Sequence, residues 1–221
     1  MLGDSLEYPR RGNGVWTRHL IGGALLLFGW LFVPILLVYG YLIQVVRGVA
    51  AGDPEPPAWE DWTDLLVDGI KYLVVSLVYG LPTAVLGGLI GLVAAGLAIG
   101  VETGTPGLTA GAAVALAVLG LLTAAVGLLM GFLLPAAVVN FVVADDLAAA
   151  FHLRTVAGNA FTRPYAVAWL KAVVAAVVLG VVGAVLMVVF LAGLLVFFYM
   201  AVVITHLLTE GYLAATDAAV A

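Results

Sequence analysis

Apolar and polar positions along this chain are segregated into long blocks rather than interleaved. Four nearly uncharged blocks stand out, roughly Leu20–Val46, Ile70–Gly100, Gly107–Ala144 and Tyr165–Leu208, of 27, 31, 38 and 44 residues. About 20 apolar residues span the hydrocarbon core of a bilayer, so each block predicts at least one membrane helix. The last is long enough for two, with a turn near Gly180 to Gly193. Block one carries Pro34 at its centre, where proline removes a helical hydrogen bond and clashes with the preceding turn. It reads as a hairpin folded at Pro34, with short arms Trp16–Val33 and Ile35–Val49. The predicted fold class is all-α: a polytopic helical membrane protein in one domain, residues 1–221, of five to six segments over 16–49, 70–100, 107–144, 165–185 and 188–210.

Two connections predict short interfacial helices. In "PEPPAWEDWTDLLVDGIKYL", Pro57 suits the first position of a helix over 57–69. Trp59, Trp62, Leu66, Ile70 and Leu73 then recur on one face, and Glu60, Asp64, Asp68 and Lys71 on the other. The tryptophans fit headgroup level, where an apolar ring with one polar N–H is most comfortable. In "ADDLAAAFHLRTVAGNAFTRPY", Asp145 or Asp146 caps a second helix over 145–158 that turns Leu147 and Phe151 towards lipid.

Charge orients the chain. Basic residues flank block one (Arg10, Arg11, Arg18, then Arg47 and Lys71) and follow block three (Arg154, Arg163, Lys171). A single crossing of block one divides them between the two sides of the membrane; a hairpin places all eight on one side. The positive-inside rule favours the hairpin, with both termini in the cytoplasm and Glu102 the only acid outside.

Composition then narrows the function classes. The chain is 65% hydrophobic and 10% charged, with a mean hydropathy of +1.22. Its start lacks the basic n-region and small-residue cleavage site of a secretory signal, so block one is expected to be retained. No cysteine is present, which excludes disulfides, thiolate ligands and thiol nucleophiles. Thirteen acids against two lysines and six arginines suggest a high-salt cytoplasm, as in halophilic archaea. Six of those acids crowd into residues 53–68.

Catalytic spacing is not found. His19, His152 and His206 are scattered, without a metal-ligand pattern, and Ser5 and Ser76 lack nucleophile-elbow glycines. A retinal protein needs a lysine inside a late span, and Lys171 lies near a boundary. No enzyme activity, cofactor, metal or nucleic-acid partner is therefore expected. Trp59, Glu60, Trp62, Asp64 and Asp68 are the candidate docking residues for a basic cytoplasmic partner. Tyr79 and Thr83 beside Pro82, with Asn140, His206 and Glu210, are the candidate polar or transport residues. His206 and Glu210 stand at i and i+4, with Tyr199 about two turns earlier; Gln44 and Arg47 close block one. Gly87/Gly91, Gly96/Gly100, Gly107/Gly111 and Gly127/Gly131 are small-xxx-small pairs. They predict close packing of blocks two and three, with homo-oligomerisation through them as the alternative.

A proline-broken first block ending "GYLIQVVRG", the "PPAWEDWTDLLVDGIK" connection and a last span ending "FYMAVVITHLLTEGY" resemble the archaeal and bacterial membrane family catalogued as domain-of-unknown-function family forty-thirteen. The resemblance covers nearly the whole chain. It implies several membrane helices and carries no activity with it. The expected function is a non-enzymatic scaffold, accessory subunit or lipid-organising module in the cell membrane; the alternative is transport of a small solute or lipid through the proline-broken helices.

Overall fold

Breaks in the chain fall where backbone conformation or a tertiary hydrogen bond forces them, and helix fills the rest. The computed structural model describes residues 2–189 and 191–220. Among these are eight α-helices: α1 (Leu2–Glu7), α2 (Val15–Leu27), α3 (Val33–Ala51), α4 (Trp62–Glu102), α5 (Pro106–Ala144), α6 (Leu153–Ala160), α7 (Arg163–Leu186) and α8 (Leu191–Val220). Helices α3, α4, α5, α7 and α8 are long and apolar enough to cross a membrane, and α2 is a shorter apolar helix. The chain is an all-α, polytopic helical membrane protein. It divides into two compact units, Met1–Val75 with Pro135–Ala221, and Ser76–Leu134.

In the first unit α8 is the central element. Helix α7 returns along it, with Gly183 against Phe197 at one end and Ala168 against Gly211 at the other. His19 of α2 meets Phe198 and Tyr199, and one turn later Gly23 meets Leu195, so α2 runs antiparallel to α8. Helix α3 runs the opposite way: Tyr41 packs on Phe198, and Leu42 and Val46 share a cavity with Met200, Ile204 and Leu208. This is the hairpin predicted for block one, displaced by a few residues. The fold lies at Phe28–Phe32, where Phe32 takes φ +67°, and Pro34 sits in the first turn of α3. There its missing N–H would have had no helical partner in any case, so Pro34 starts a helix rather than breaking one.

Helices α3 and α4 approach until backbone meets backbone. A Cβ on Gly40 would lie 1.8 Å from the Leu65 carbonyl oxygen, and one on Gly69 would lie 2.0 Å from that of Leu36. Only glycine fits at either position.

Three expectations are corrected. Residues 57–61 are not helical; α4 begins at Trp62, and Asp61 just before it has φ +50°. The segment 145–158 is not one helix: Asp146 caps a 3-10 turn over Leu147–Phe151 by accepting from the Ala148 N–H at 2.9 Å, and α6 follows after His152. In the second unit α4 and α5 form a long hairpin turning at Gly104 (φ +62°), and the predicted glycine packing holds it only in part. Built Cβ atoms on Gly87, Gly91, Gly96, Gly107, Gly111 and Gly131 meet nothing within 4 Å. Of the eight glycines in the predicted pairs, only Gly100, against Thr109, and Gly127, against Thr83, lie where the two helices touch; the other six face outward.

Thermal unfolding in detergent separates the two kinds of glycine. Gly40→Val or Gly69→Val is expected to lose about 3 kcal/mol through overpacking, whereas Gly91→Ala stays neutral or gains up to about 1 kcal/mol from helix propensity.

Candidate docking face and its polar supports

The acid-rich connection is held extended by side chains from three other elements. Arg18 Nε donates to the Pro57 carbonyl at 3.2 Å and Tyr41 Oη donates to the same oxygen at 3.1 Å. In return, Trp59 Nε1 donates to the Arg18 carbonyl at 3.0 Å. Tyr8 Oη donates to the Glu55 carbonyl at 3.2 Å; burial pushes its phenol up to about 12, which keeps the donor proton in place. These bonds explain the late helix start, since a Pro57 carbonyl engaged by two donors from outside is fixed away from helical geometry. Trp59 stacks on Tyr41 at 4.3 Å and on Trp62 at 5.9 Å. It is therefore a protein anchor rather than a headgroup anchor, while Trp62 is half exposed.

The five candidate docking residues separate accordingly. Glu60, Asp64 and Trp62 are exposed, with Asp61 beside them. Asp68 is not on that face. It is 3% exposed and accepts from both terminal nitrogens of Arg47, one of them at 3.0 Å, with Lys71 Nζ at 3.4 Å. A bidentate guanidinium pair of this kind is strong and geometrically specific. It ties α3 to α4 next to the Gly40–Gly69 crossing, which gives Asp68 a structural role.

The candidate transport residues are also dispersed. Asn140 is internally satisfied: its Nδ2 donates to the Ala149 carbonyl at 2.8 Å, and its Oδ1 accepts from Tyr212 Oη at 2.8 Å. Tyr212 Oη in turn accepts from Asn159 Nδ2 at 2.8 Å. The chain Asn159–Tyr212–Asn140 fastens α6, α8 and α5 together. Tyr79 and Thr83 line a groove of about 430 Å³ in the second unit together with Ser76. The Ser76 hydroxyl there is buried without a hydrogen-bond partner.

His206 is buried rather than at an exposed helix end. Its Nδ1 lies 2.9 Å from Ser5 Oγ and 3.8 Å from Glu210 Oε2, and its ring packs on Tyr8 at 4.3 Å. Tyr199 Oη donates to the Leu6 carbonyl. This docks α1 on α8. It is not a nucleophile relay, because serine and carboxylate approach the same ring nitrogen, whereas a relay needs them on opposite ones. Among the described residues, no group of three or more His, Asp or Glu is placed to hold a metal ion.

The family model "Protein of unknown function (DUF4013)" matches residues 24–188, well over half the chain. The chain belongs to this family. No curated protein and no solved structure matches it. The family match begins after α1 and ends before α8, so both partners of the α1–α8 docking lie outside the matched region, and the Asn159–Tyr212–Asn140 chain has one, Tyr212, outside it.

Ser5, Tyr8, Arg18, Tyr41, Asn159 and Tyr212 support these sites and were not singled out by sequence. One signal for Arg18 was available: a cation entering an apolar block with no acid nearby needs carbonyl partners. None existed for Asn159, whose partner is 53 positions away.

Removing the buried carboxylate tests its role. Asp68→Asn is expected to destabilise the protein by about 2–3 kcal/mol in detergent unfolding, since it strips the charge from the pair with Arg47 and Lys71. Asp64→Asn, at an exposed position, should shift stability by less than about 0.5 kcal/mol.

Proposed function

We propose that this protein is a non-enzymatic scaffold or accessory subunit of the cell membrane whose working surface is the cytoplasmic ledge formed by residues 53–64. The observation that carries this reading is the pinning of that segment: Arg18, Tyr41, Tyr8 and Trp59 fix its backbone, so Glu60, Asp61 and Asp64 are presented beside exposed Trp62 at little ordering cost on binding. A rigid acidic surface with an aromatic at its edge suits a basic partner, for association rate and for contact.

Orientation follows from charge. The stretches 20–46 and 172–209 contain no charged residue, and 72–144 contains only Glu102. Each of the three helical hairpins α2–α3, α4–α5 and α7–α8 thus turns without a basic residue, and all eight Lys and Arg lie at the other ends of their arms. By the positive-inside rule those ends, both termini and the ledge are cytoplasmic.

A second reading, transport of a small solute, is favoured by one feature, the unpartnered Ser76 hydroxyl in the Tyr79–Thr83 groove beside Pro82. The first is preferred because Asn140, the other polar group expected at depth, is consumed by structural hydrogen bonds.

The absence of cysteine makes the topology directly testable. Thr103→Cys should react with an impermeant thiol reagent added to intact cells, and Glu55→Cys only after the cells are opened; the reverse pattern would overturn the orientation. For the function, mass spectrometry of protein extracted with its native lipids should find a stoichiometric protein partner that is lost in E60K/D61K/D64K. A bound solute with no protein partner would favour transport instead.

A further inference from the structure

A groove on the first unit places a cation that has no ion pair among the described residues beside an apolar wall. Its floor is α8 (Leu195, Val196, Tyr199), its sides are α2 (Val15, Trp16, His19) and α7 (Leu179, Val182), and Arg10 closes one end; the volume is about 530 Å³. That is within the size range of small-molecule and lipid sites. The polar groups gather at one end, Arg10 with Tyr199 and His19, while Leu179, Val182 and Leu195 line the rest.

The three N-terminal arginines are used differently. Arg11 lies 4.0 Å from the carboxylates of Asp4 and Glu7, and Arg18 is engaged by the carbonyls of Pro57 and Arg11. Arg10 has no ion pair among the described residues; its guanidinium stands 5.6 Å over the Tyr199 ring. Arg10 is exposed, so its charge is open to an anion at the mouth of the apolar groove. His19 adds an unpartnered acceptor, which calls for a hydrogen-bond donor such as a headgroup hydroxyl rather than for the anion. A carbonyl can only accept, so the bond at 2.7 Å to the Val15 oxygen puts the proton on Nδ1, and buried Nε2 has no partner. Trp16, 76% exposed at the same end, has the form of an interfacial anchor.

We propose that this groove binds one membrane lipid with an anionic headgroup, its phosphate on Arg10 and its acyl chain along Leu195, Val196, Leu179 and Val182. A lipid, rather than a free anion, is indicated because most of the lining offers only apolar contact. The site shares no residue with the acidic ledge, so it stands or falls apart from the docking reading.

The test is native mass spectrometry of the full-length protein delipidated in detergent and titrated with palmitoyl-oleoyl phosphatidylglycerol. One lipid should be retained per chain, and Arg10→Gln should weaken retention about tenfold, equivalent to about 1.4 kcal/mol. Val182→Trp, which fills the wall and leaves the charge, should weaken it as much, while Arg154→Gln on exposed α6 should not. Equal retention of phosphatidylcholine would overturn the anionic assignment. Displacement by glycerol phosphate alone would overturn the lipid assignment, and unchanged retention in both groove variants would overturn the site.

Discussion

The packing of the first unit depends on one aromatic ring. Phe198, fully buried in the N-terminal third of α8, touches His19 of α2 edge-on, tilts against Tyr41 of α3, and meets Trp59 of the pinned connection. It occupies the space over Gly22, where a Cβ would come within 2.4 Å of the ring. Three elements from separate parts of the chain are thereby held at one level of α8. Lipid supplies no hydrophobic drive between helices, so dispersion contacts and aromatic geometry at such a point must supply the specificity.

The hydrogen bonds around Pro57 follow from this anchor. Tyr41 and Trp59 both lie on Phe198 and both are donors, one to Pro57 and one to Arg18. The Arg18 side chain returns to Pro57. The result is a closed exchange between α2, α3 and an extended segment that has no secondary structure of its own. Such a segment is normally mobile; here its backbone acceptors are satisfied by fixed donors, which is why its carboxylates can be presented in a set arrangement.

Much of this architecture was legible in the sequence. Block lengths against bilayer thickness gave the helices, and the basic residues gave the block-one hairpin, whose turn lies only a few residues before Pro34. What was not legible depends on contacts across long separations. Residues 57–69 carry a true helical period, but its first turn is overridden by donors 16 and 39 positions earlier. Asp68 falls on the polar face by the same period and is nevertheless buried, because Arg47, 21 positions back, meets it. Periodicity reports which residues share a face; it does not say whether a facing helix brings a partner for the polar one. Asn140 misled for the same reason, being satisfied by Tyr212, 72 positions on.

The glycine pairs of α4 and α5 held only at Gly100 and Gly127, and the other six glycines failed for a different reason. Small-xxx-small spacing permits close approach and does not compel it. In water, an open glycine-rich face on a long apolar helix would carry a double penalty, exposed apolar surface and poor helix propensity. In lipid the first penalty disappears, since the solvent is as apolar as the side chains. The most apolar windows of α4 and α5 bury only 6% and 0% of their residues within the protein, and Gly40 and Gly69, outside any such repeat, make the one backbone-to-backbone crossing of α3 and α4. Close approach is decided by what stands opposite a glycine. At this crossing Gly40 meets Leu65 and Gly69 meets Leu36, and the Asp68–Arg47 pair alongside gives the two helices a reason to meet there.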